Sequence, residues 1–307
     1  MHARKLHLMT GLTYNVLEWE GPAAPGDLTF VLVHGFADLG YAWHEVAERL
    51  APHGHVIAPD LRGHGDSDWI SGGGYYHFMD YVADLDDVIA QLARRRVVLV
   101  GHSMGGSVSS YYAGARPERL TGLALLEGLG PPDMAALDGP TRTAMWIDAW
   151  RTARAKGRPM PSIDEAVLRL MKHDDRLGAA LARRLAEVGT RKVEGGLIWK
   201  HDPLHRTFGP YAFRIEIAIK YWQRITCPVV IADGADSQLT LPADELARRR
   251  AYFANHRHVV IDGAAHMIPR HQPARVAELI LGLAAQPGRP SSRKPPDGSD
   301  PGRPSAA

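Results

Sequence analysis

The chain spells out an α/β protein, a mostly parallel eight-stranded sheet flanked by helices, with a helical segment inserted after the sixth strand. Three observations carry that reading. From Leu28 onward, short runs rich in valine, leucine and isoleucine alternate with amphipathic stretches of helical length. The runs are near-continuously apolar rather than alternating, as strands buried on both faces are. The alternation is suspended between about 131 and 225 and then resumes.

The elements follow in order. "KLHLM" and "LTYNVLEWE" alternate polar with apolar residues across a short link, which predicts an antiparallel hairpin at the sheet edge. "LTFVLVHG" is the third strand, "YAWHEVAERLAPH" a helix and "HVIAPD" the fourth strand. "FMDYVADLDDVIAQLARR" is a helix whose apolar face is Phe78, Val82, Leu85, Val88, Ile89 and Leu92. The strand "RVVLVG", a helix beginning at Ser103 and the strand "TGLALLEG" complete the first half. Residues 131–225 hold helical stretches, many arginines and eight aromatic residues from Trp146 to Trp222, with no convincing buried strand. "CPVVIADG", "PADELARRRAYFA", "HVVIDG" and "QPARVAELILGLAAQ" then restore the strand and helix alternation. The simplest organisation is one α/β core, 1–130 and 226–286, with a helical insertion at 131–225. The last residues, 287–307, are rich in proline, glycine and serine and read as a disordered tail.

Composition narrows the function. Hydrophobic residues make up 45% of the chain, enough for a sizeable core. The formal charge of +2 is that of the tail, where Arg289, Arg293, Lys294 and Arg303 face only Asp297 and Asp300; the remainder is balanced and offers no global pull on nucleic acid or anionic lipid. The triplets 94–96 and 248–250, all arginine, read as solvated charge at helix ends or faces. A single cysteine, Cys227, excludes an intramolecular disulfide and reads as a buried thiol. The N-terminus has no apolar stretch of signal-peptide length and no run of about eighteen apolar residues occurs, so a cytoplasmic protein without a membrane partner is the default expectation. The pairs His53/His55 and His256/His258 lack a third ligand and read as surface residues at strand ends, so no metal or cofactor is expected.

Chemistry is signalled at "VVLVGHSMGG". The pattern G-x-S-x-G occurs by chance in roughly one chain in five of this length on ordinary composition, so its context decides. Here Ser103 stands between a strand and a helix start, with Gly101 and Gly105 two residues to either side, the setting of a tight turn that exposes a serine hydroxyl above a sheet.

Four motifs agree in order: "VHGF" after the third strand, "APDLRGHGDSD" after the fourth, "GHSMGG" after the fifth and "GAAHMIPRHQP" after the eighth. On these the chain resembles the α/β-hydrolase superfamily, of the serine type with a helical cap after the sixth strand, over roughly residues 6–285. The resemblance implies Ser103 as nucleophile and His266 as base, favoured over nearby His271 by the match of "GAAHM" to the family loop. It implies an oxyanion hole from the backbone N–H groups of Phe36 and Met104. The acid departs from the family's commonest pattern, because "DGADSQL" puts Ser237 at the usual aspartate position and Asp236 one residue earlier. Glu127, at the end of the sixth strand, is favoured over Asp236, with Asp233 third. Serine at 103 argues against the related dehalogenases and epoxide hydrolases, whose nucleophile is an aspartate.

The expected activity is hydrolysis of a carboxylic ester of a small, apolar molecule, without cofactor. C–C bond hydrolysis, perhydrolysis on the same residues, and a non-catalytic binding role are the alternatives. The tryptophans of the insertion either form an apolar chamber over Ser103 or are ordinary helix packing. "WKHDPLHRTFGPYAFR" offers His201, Asp202 and Arg206 as residues near the substrate, and "GGGYYHF", 72–78, reads as a loop whose aromatics border the entrance.

Overall fold

The computed structural model describes residues 1–21, 27–70, 72, 74–133, 138–153, 158–207, 209–239 and 241–286, so the expected tail lies outside the described residues. The main sheet is built from β1 (His2–His7), β2 (Thr13–Trp19), β3 (Leu28–Val33), β4 (His55–Pro59), β5 (Arg96–His102) and β6 (Gly122–Leu126). Two later strands, β9 (Val229–Gly234) and β10 (His256–Ile261), complete it. Their spatial order is β1-β2-β4-β3-β5-β6-β9-β10. β1 and β2 form the antiparallel edge hairpin, β2 meets β4 antiparallel, and every other pair is parallel.

Strand alternation sends side chains to opposite faces. Val31, Val33, Val97 and Leu99 lie on one face with α2 (Phe78–Leu92), α3 (Met104–Ala115) and α7 (Ile215–Trp222). Phe30, Leu32, Val98 and Val100 lie on the other with α1 (His44–Leu50) and α10 (Pro273–Ala284). Both faces of the central strands are thereby closed to water, while the edge strands β1 and β10 stay largely exposed, and the strand ends that carry β3, β5 and β6 into their loops converge above one edge.

Between β6 and β9 lie α4 (Gly139–Ala153), α5 (Ile163–His173), α6 (Ala179–Gly189), the antiparallel hairpin β7 (Thr190–Val193) and β8 (Gly196–Trp199), and α7. The hairpin is an addition to the helical segment expected there; its strands are only four residues long, β7 mostly exposed and β8 half-buried, too short to announce themselves in the sequence. α7 packs on α3, and Trp222 stacks on Phe253 in the core with its indole N–H on Ser110 Oγ, 3.0 Å. That tryptophan is a core residue, not part of a chamber.

Two sequence expectations are corrected. His55 is not a surface residue: it is 5% exposed, and its Nε2 lies 3.0 Å from Glu18 on β2. Arg249, read within a solvated triplet, is fully buried on α8 (Ala243–Arg250). Its Nη1 donates to the carbonyls of Leu129, Gly130 and Pro131 at 2.8, 3.1 and 2.9 Å, and its Nε to Glu245 at 2.7 Å. A guanidinium met by three carbonyls and a carboxylate can be buried, and it ties down the chain where the insertion begins. Cys227 is buried, and burial pushes its thiol up to about 12.

Candidate active site

Three non-glycine residues have positive φ among the described residues: Ala37 (56°), Ser103 (53°) and Glu127 (46°). Each follows the end of a central parallel strand, β3, β5 or β6. Left-handed backbone costs a side-chain-bearing residue of order 1 to 3 kcal/mol and persists where surrounding structure over-determines it.

At Ser103 the surroundings are visible. Its N–H donates to Leu126 O on β6 (2.9 Å), while its own carbonyl accepts from Gly106 and Ser107 in the first turn of α3. The turn is too tight for neighbouring side chains. A Cβ on Gly101 would lie 2.4 Å from Gly105 O, and one on Gly105 would lie 2.4 Å from the carbonyl oxygens of Val33 and His34. The hydroxyl is left above the strand ends, and Nε2 of His266 is 3.1 Å from it.

His266 sits between β10 and the short helix α9 (Ile268–His271). Its Nδ1 is 2.6 Å from Glu127 Oε2, so a proton on Nδ1 leaves the Nε2 lone pair facing the serine. Its backbone is held on both sides. His102 Nε2–H donates to the His266 carbonyl at 2.7 Å, and the N–H of Ala265 donates to His271 Nδ1 at 3.1 Å. Burial, with the charge of His266 adding to it, pushes His102 down to about 4, which keeps it a neutral donor.

Glu127 begins where β6 stops, its N–H on Ala232 O of β9, and its side chain is 5% exposed. Oε1 accepts from the Gly234 N–H (3.0 Å), and Oε2 accepts from Ser237 Oγ (2.8 Å) as well as from His266. Burial pushes the carboxyl up, but the hydrogen bonds from His266, Gly234 and Ser237 outweigh it and hold Glu127 below the ordinary range. Ser237 is the functional neighbour that sequence reasoning passed over. Its signal was its location, since it stands where the commonest family pattern has an aspartate.

The alternative acids point elsewhere. Asp236 is exposed and pairs with Arg176 at 2.7 Å, and Asp233 pairs with His258 (2.7 Å) and Arg250 (3.3 Å). His271, the alternative base, is buried against Asp174, its Nε2 2.9 Å from Oδ1. Gly35 runs beside the nucleophile, close enough that a Cβ there would be 3.2 Å from Ser103 Cβ. This brings the Phe36 backbone to the site opposite the start of α3, where Met104 stands; no acceptor among the described residues takes either N–H.

Around this centre the inserted segment leans on the loop after β4. Asp202 is fully buried, accepts from Tyr76 OH at 3.0 Å and caps Leu204, while its N–H donates to Gly63 O. His205, rather than His201 or Arg206, reaches the site: it stacks on His64 (centroids 4.2 Å), lies tilted against Tyr76 (3.8 Å) and meets the half-exposed Phe36 edge-on at 6.3 Å. His201 stacks on Trp199 instead. Tyr75 and Tyr76, expected at a loop entrance, are buried. Tyr75 packs on Trp146 and Trp150, which with Ile147 and Arg151 line an open cleft of about 550 Å3. Among the described residues no group of three His, Cys, Asp or Glu side chains is disposed to hold a metal ion, and no helix is long and apolar enough to cross a membrane.

Comparison with known proteins agrees with this architecture. A family model described as the alpha/beta hydrolase fold matches residues 29–269. A serine hydrolase-like protein of Danio rerio is 25% identical over 285 residues, 88% of this chain and 85% of its own length. Lipase LipV of Mycobacterium tuberculosis is 35% identical over 129 residues, 42% of this chain and 45% of that protein. Among solved structures, the thioesterase domain from the curacin biosynthetic pathway superposes with a TM-score of 0.83 at 26% identity, covering 92% of this chain and all but 1% of that one.

Proposed function

The chain belongs to the α/β-hydrolase fold family, and from that premise we propose that it is a serine hydrolase, cleaving a carboxylic ester or related acyl bond of a small, apolar molecule through an acyl-enzyme on Ser103. The observation that carries the reading is the unbroken hydrogen-bonded line Ser103 Oγ, His266, Glu127, at 3.1 and 2.6 Å. Supporting it are the names of the similar proteins, a serine hydrolase-like protein, a lipase and a thioesterase domain, all terms of acyl or serine chemistry.

In this mechanism Ser103 Oγ attacks the carbonyl carbon as His266 Nε2 takes its proton. Glu127 keeps the other ring nitrogen protonated and stabilises the imidazolium that forms. The carbonyl π pair moves onto oxygen, where the N–H groups of Phe36 and Met104 receive it; one such donor is commonly worth about 3 kcal/mol. Collapse expels the alkoxide, which takes the proton from His266. Water then repeats the sequence on the acyl-enzyme, with His266 as base, and releases the acid and free Ser103.

The test is fluorophosphonate labelling with peptide mapping, alongside nitrophenyl esters of short and medium chain. The expected adduct is on Ser103, and Ser103→Ala is expected to lose turnover by roughly 10⁴-fold or more with its melting transition intact. Full activity in that variant, or an adduct elsewhere, overturns the nucleophile assignment.

A further inference from the structure

We propose that the turn joining α5 to α6, Asp174 to Leu177, is a brace by which the inserted segment positions His266, acting through His271. The inference rests on the reading above, in which His266 is the base.

The path is short and buried. Asp174 and His271 have side chains only 6% and 4% exposed. His271 donates from Nε2 to Asp174 Oδ1 at 2.9 Å, which leaves Nδ1 as the acceptor for the Ala265 N–H at 3.1 Å. Ala265 immediately precedes His266. The carboxylate thus selects the tautomer of His271 as Glu127 does that of His266, but here the group that donates to the free ring nitrogen is a backbone amide rather than a hydroxyl. The His102 bond to the His266 carbonyl fixes the other side, so the base is pinned before and after its own Cα.

The turn itself is anchored. Asp174 Oδ1 also accepts from the Arg176 N–H (3.3 Å), the Asp174 carbonyl accepts from the Leu177 N–H (3.1 Å), and Leu177 is buried in the core on the α1 and α10 face. One residue away, Arg176 pairs with Asp236, the neighbour of the serine that holds Glu127. A single turn of the insertion therefore contacts the loop that carries the base and the loop whose Ser237 holds the acid. The two residues weighed as alternatives in the sequence, His271 and Asp236, are its two points of attachment.

The experiment compares the full chain with Asp174→Ala, His271→Ala, their double variant and Asp174→Asn. It reads kcat and KM on a nitrophenyl ester, the rate of fluorophosphonate labelling, and hydrogen exchange of the amides of Ala265 and His266. Displacing a catalytic group by about an ångström costs on the order of 100-fold. Each alanine variant is expected to lower kcat by about 10- to 100-fold with KM within about threefold, and to speed exchange at both amides. The double variant should cost no more than the worse single, because both break one path. Asp174→Asn keeps an oxygen for the Nε2 proton and should stay within about threefold of wild type.

Alanine variants that melt earlier yet keep wild-type kcat and exchange per folded molecule would reduce the pair to packing and overturn the proposal. Should they fail to fold, His271→Lys carries the test. Its ammonium still donates to Asp174 but has no acceptor for Ala265, so the same kcat loss and faster exchange are expected, and neither changing overturns the brace. If the wild type takes up no probe and turns over no ester, the hydrolase reading fails, and exchange alone then decides whether the brace exists.

Discussion

At Glu127 a carboxylate stands at the end of β6 and takes bonds from Gly234, Ser237 and His266, while Asp236 points to Arg176. Glu127→Gln should therefore lower kcat by roughly 10²- to 10⁴-fold, because the Gly234 N–H draws the amide oxygen to itself and turns the NH2 toward His266, selecting the wrong tautomer, and a neutral amide does not stabilise the imidazolium. Asp236→Asn removes only an exposed ion pair and should stay within a few fold; the reverse ranking in parallel kinetics would reassign the acid. Ser237→Ala has a subtler signature. Glu127 is held below its ordinary value, so its stabilising effect is present above the unfolded carboxylate value of about 4.3 and is lost as pH falls through the folded one. Without the Ser237 hydroxyl the folded value rises, and acid unfolding should set in at higher pH than in wild type. Equal acid midpoints would mean that the hydroxyl adds nothing to the carboxylate. The acid was legible in part: the missing aspartate at 237 could be read as a departure, but the bond that makes Ser237 useful joins residues 110 positions apart.

Among the elements, the strand-to-helix turn at Ser103 was the most legible, because its constraint is local. Strand, serine and glycines adjoin in sequence, and the clash Gly101 avoids is with the backbone of Gly105, although the one Gly105 avoids is with the distant β3. Gly105→Ala tests this. Its Cβ would stand 2.4 Å from two carbonyl oxygens at the end of β3, so α3 must move away from the strand that leads to Phe36. Overpacking of this kind costs about 1 to 3 kcal/mol. The expected outcome is a lower melting midpoint together with a loss of labelling rate at Ser103 in the fraction still folded; loss of stability alone would show that the turn tolerates the shift. The β7–β8 hairpin and buried Arg249 were illegible for the opposite reason. Strands of four residues, one exposed and one half-buried, are too short to leave a strand pattern, and a charged triplet shows nothing of the carbonyls that one member will find 118 to 120 residues away.

Across the whole molecule, sixteen histidines could not be sorted by sequence, and the structure divides them by burial. His34, His64 and His102 are almost wholly buried, and burial is the main cause that lowers each; His201 and His205 are pushed down to about 4, again chiefly by burial. They serve as neutral scaffolding. His34 accepts the Leu61 N–H at Nε2, and His64 accepts the Ala37 N–H, so the loops bearing Phe36 and Asp60 hang on uncharged imidazoles. The sign of the linkage follows. Once pH drops below about 6.5 the unfolded chain takes up protons at these positions and the folded chain does not, so stability falls with pH until the folded values are reached. Each histidine held neutral steepens the decline by at most about 1.4 kcal/mol per pH unit. Asp60, raised by its own burial, works in the opposite direction and offsets part of this. Urea unfolding from pH 8 to pH 4 should therefore show a plateau above neutrality and a fall below about 6.5, steeper than one histidine can produce. His64→Asn should reduce the slope even where it lowers the plateau. Stability that stays flat to pH 4.5 would mean that these rings gain a charge-stabilising partner on folding, and that the loop beside Ser103 is held by imidazolium rather than imidazole.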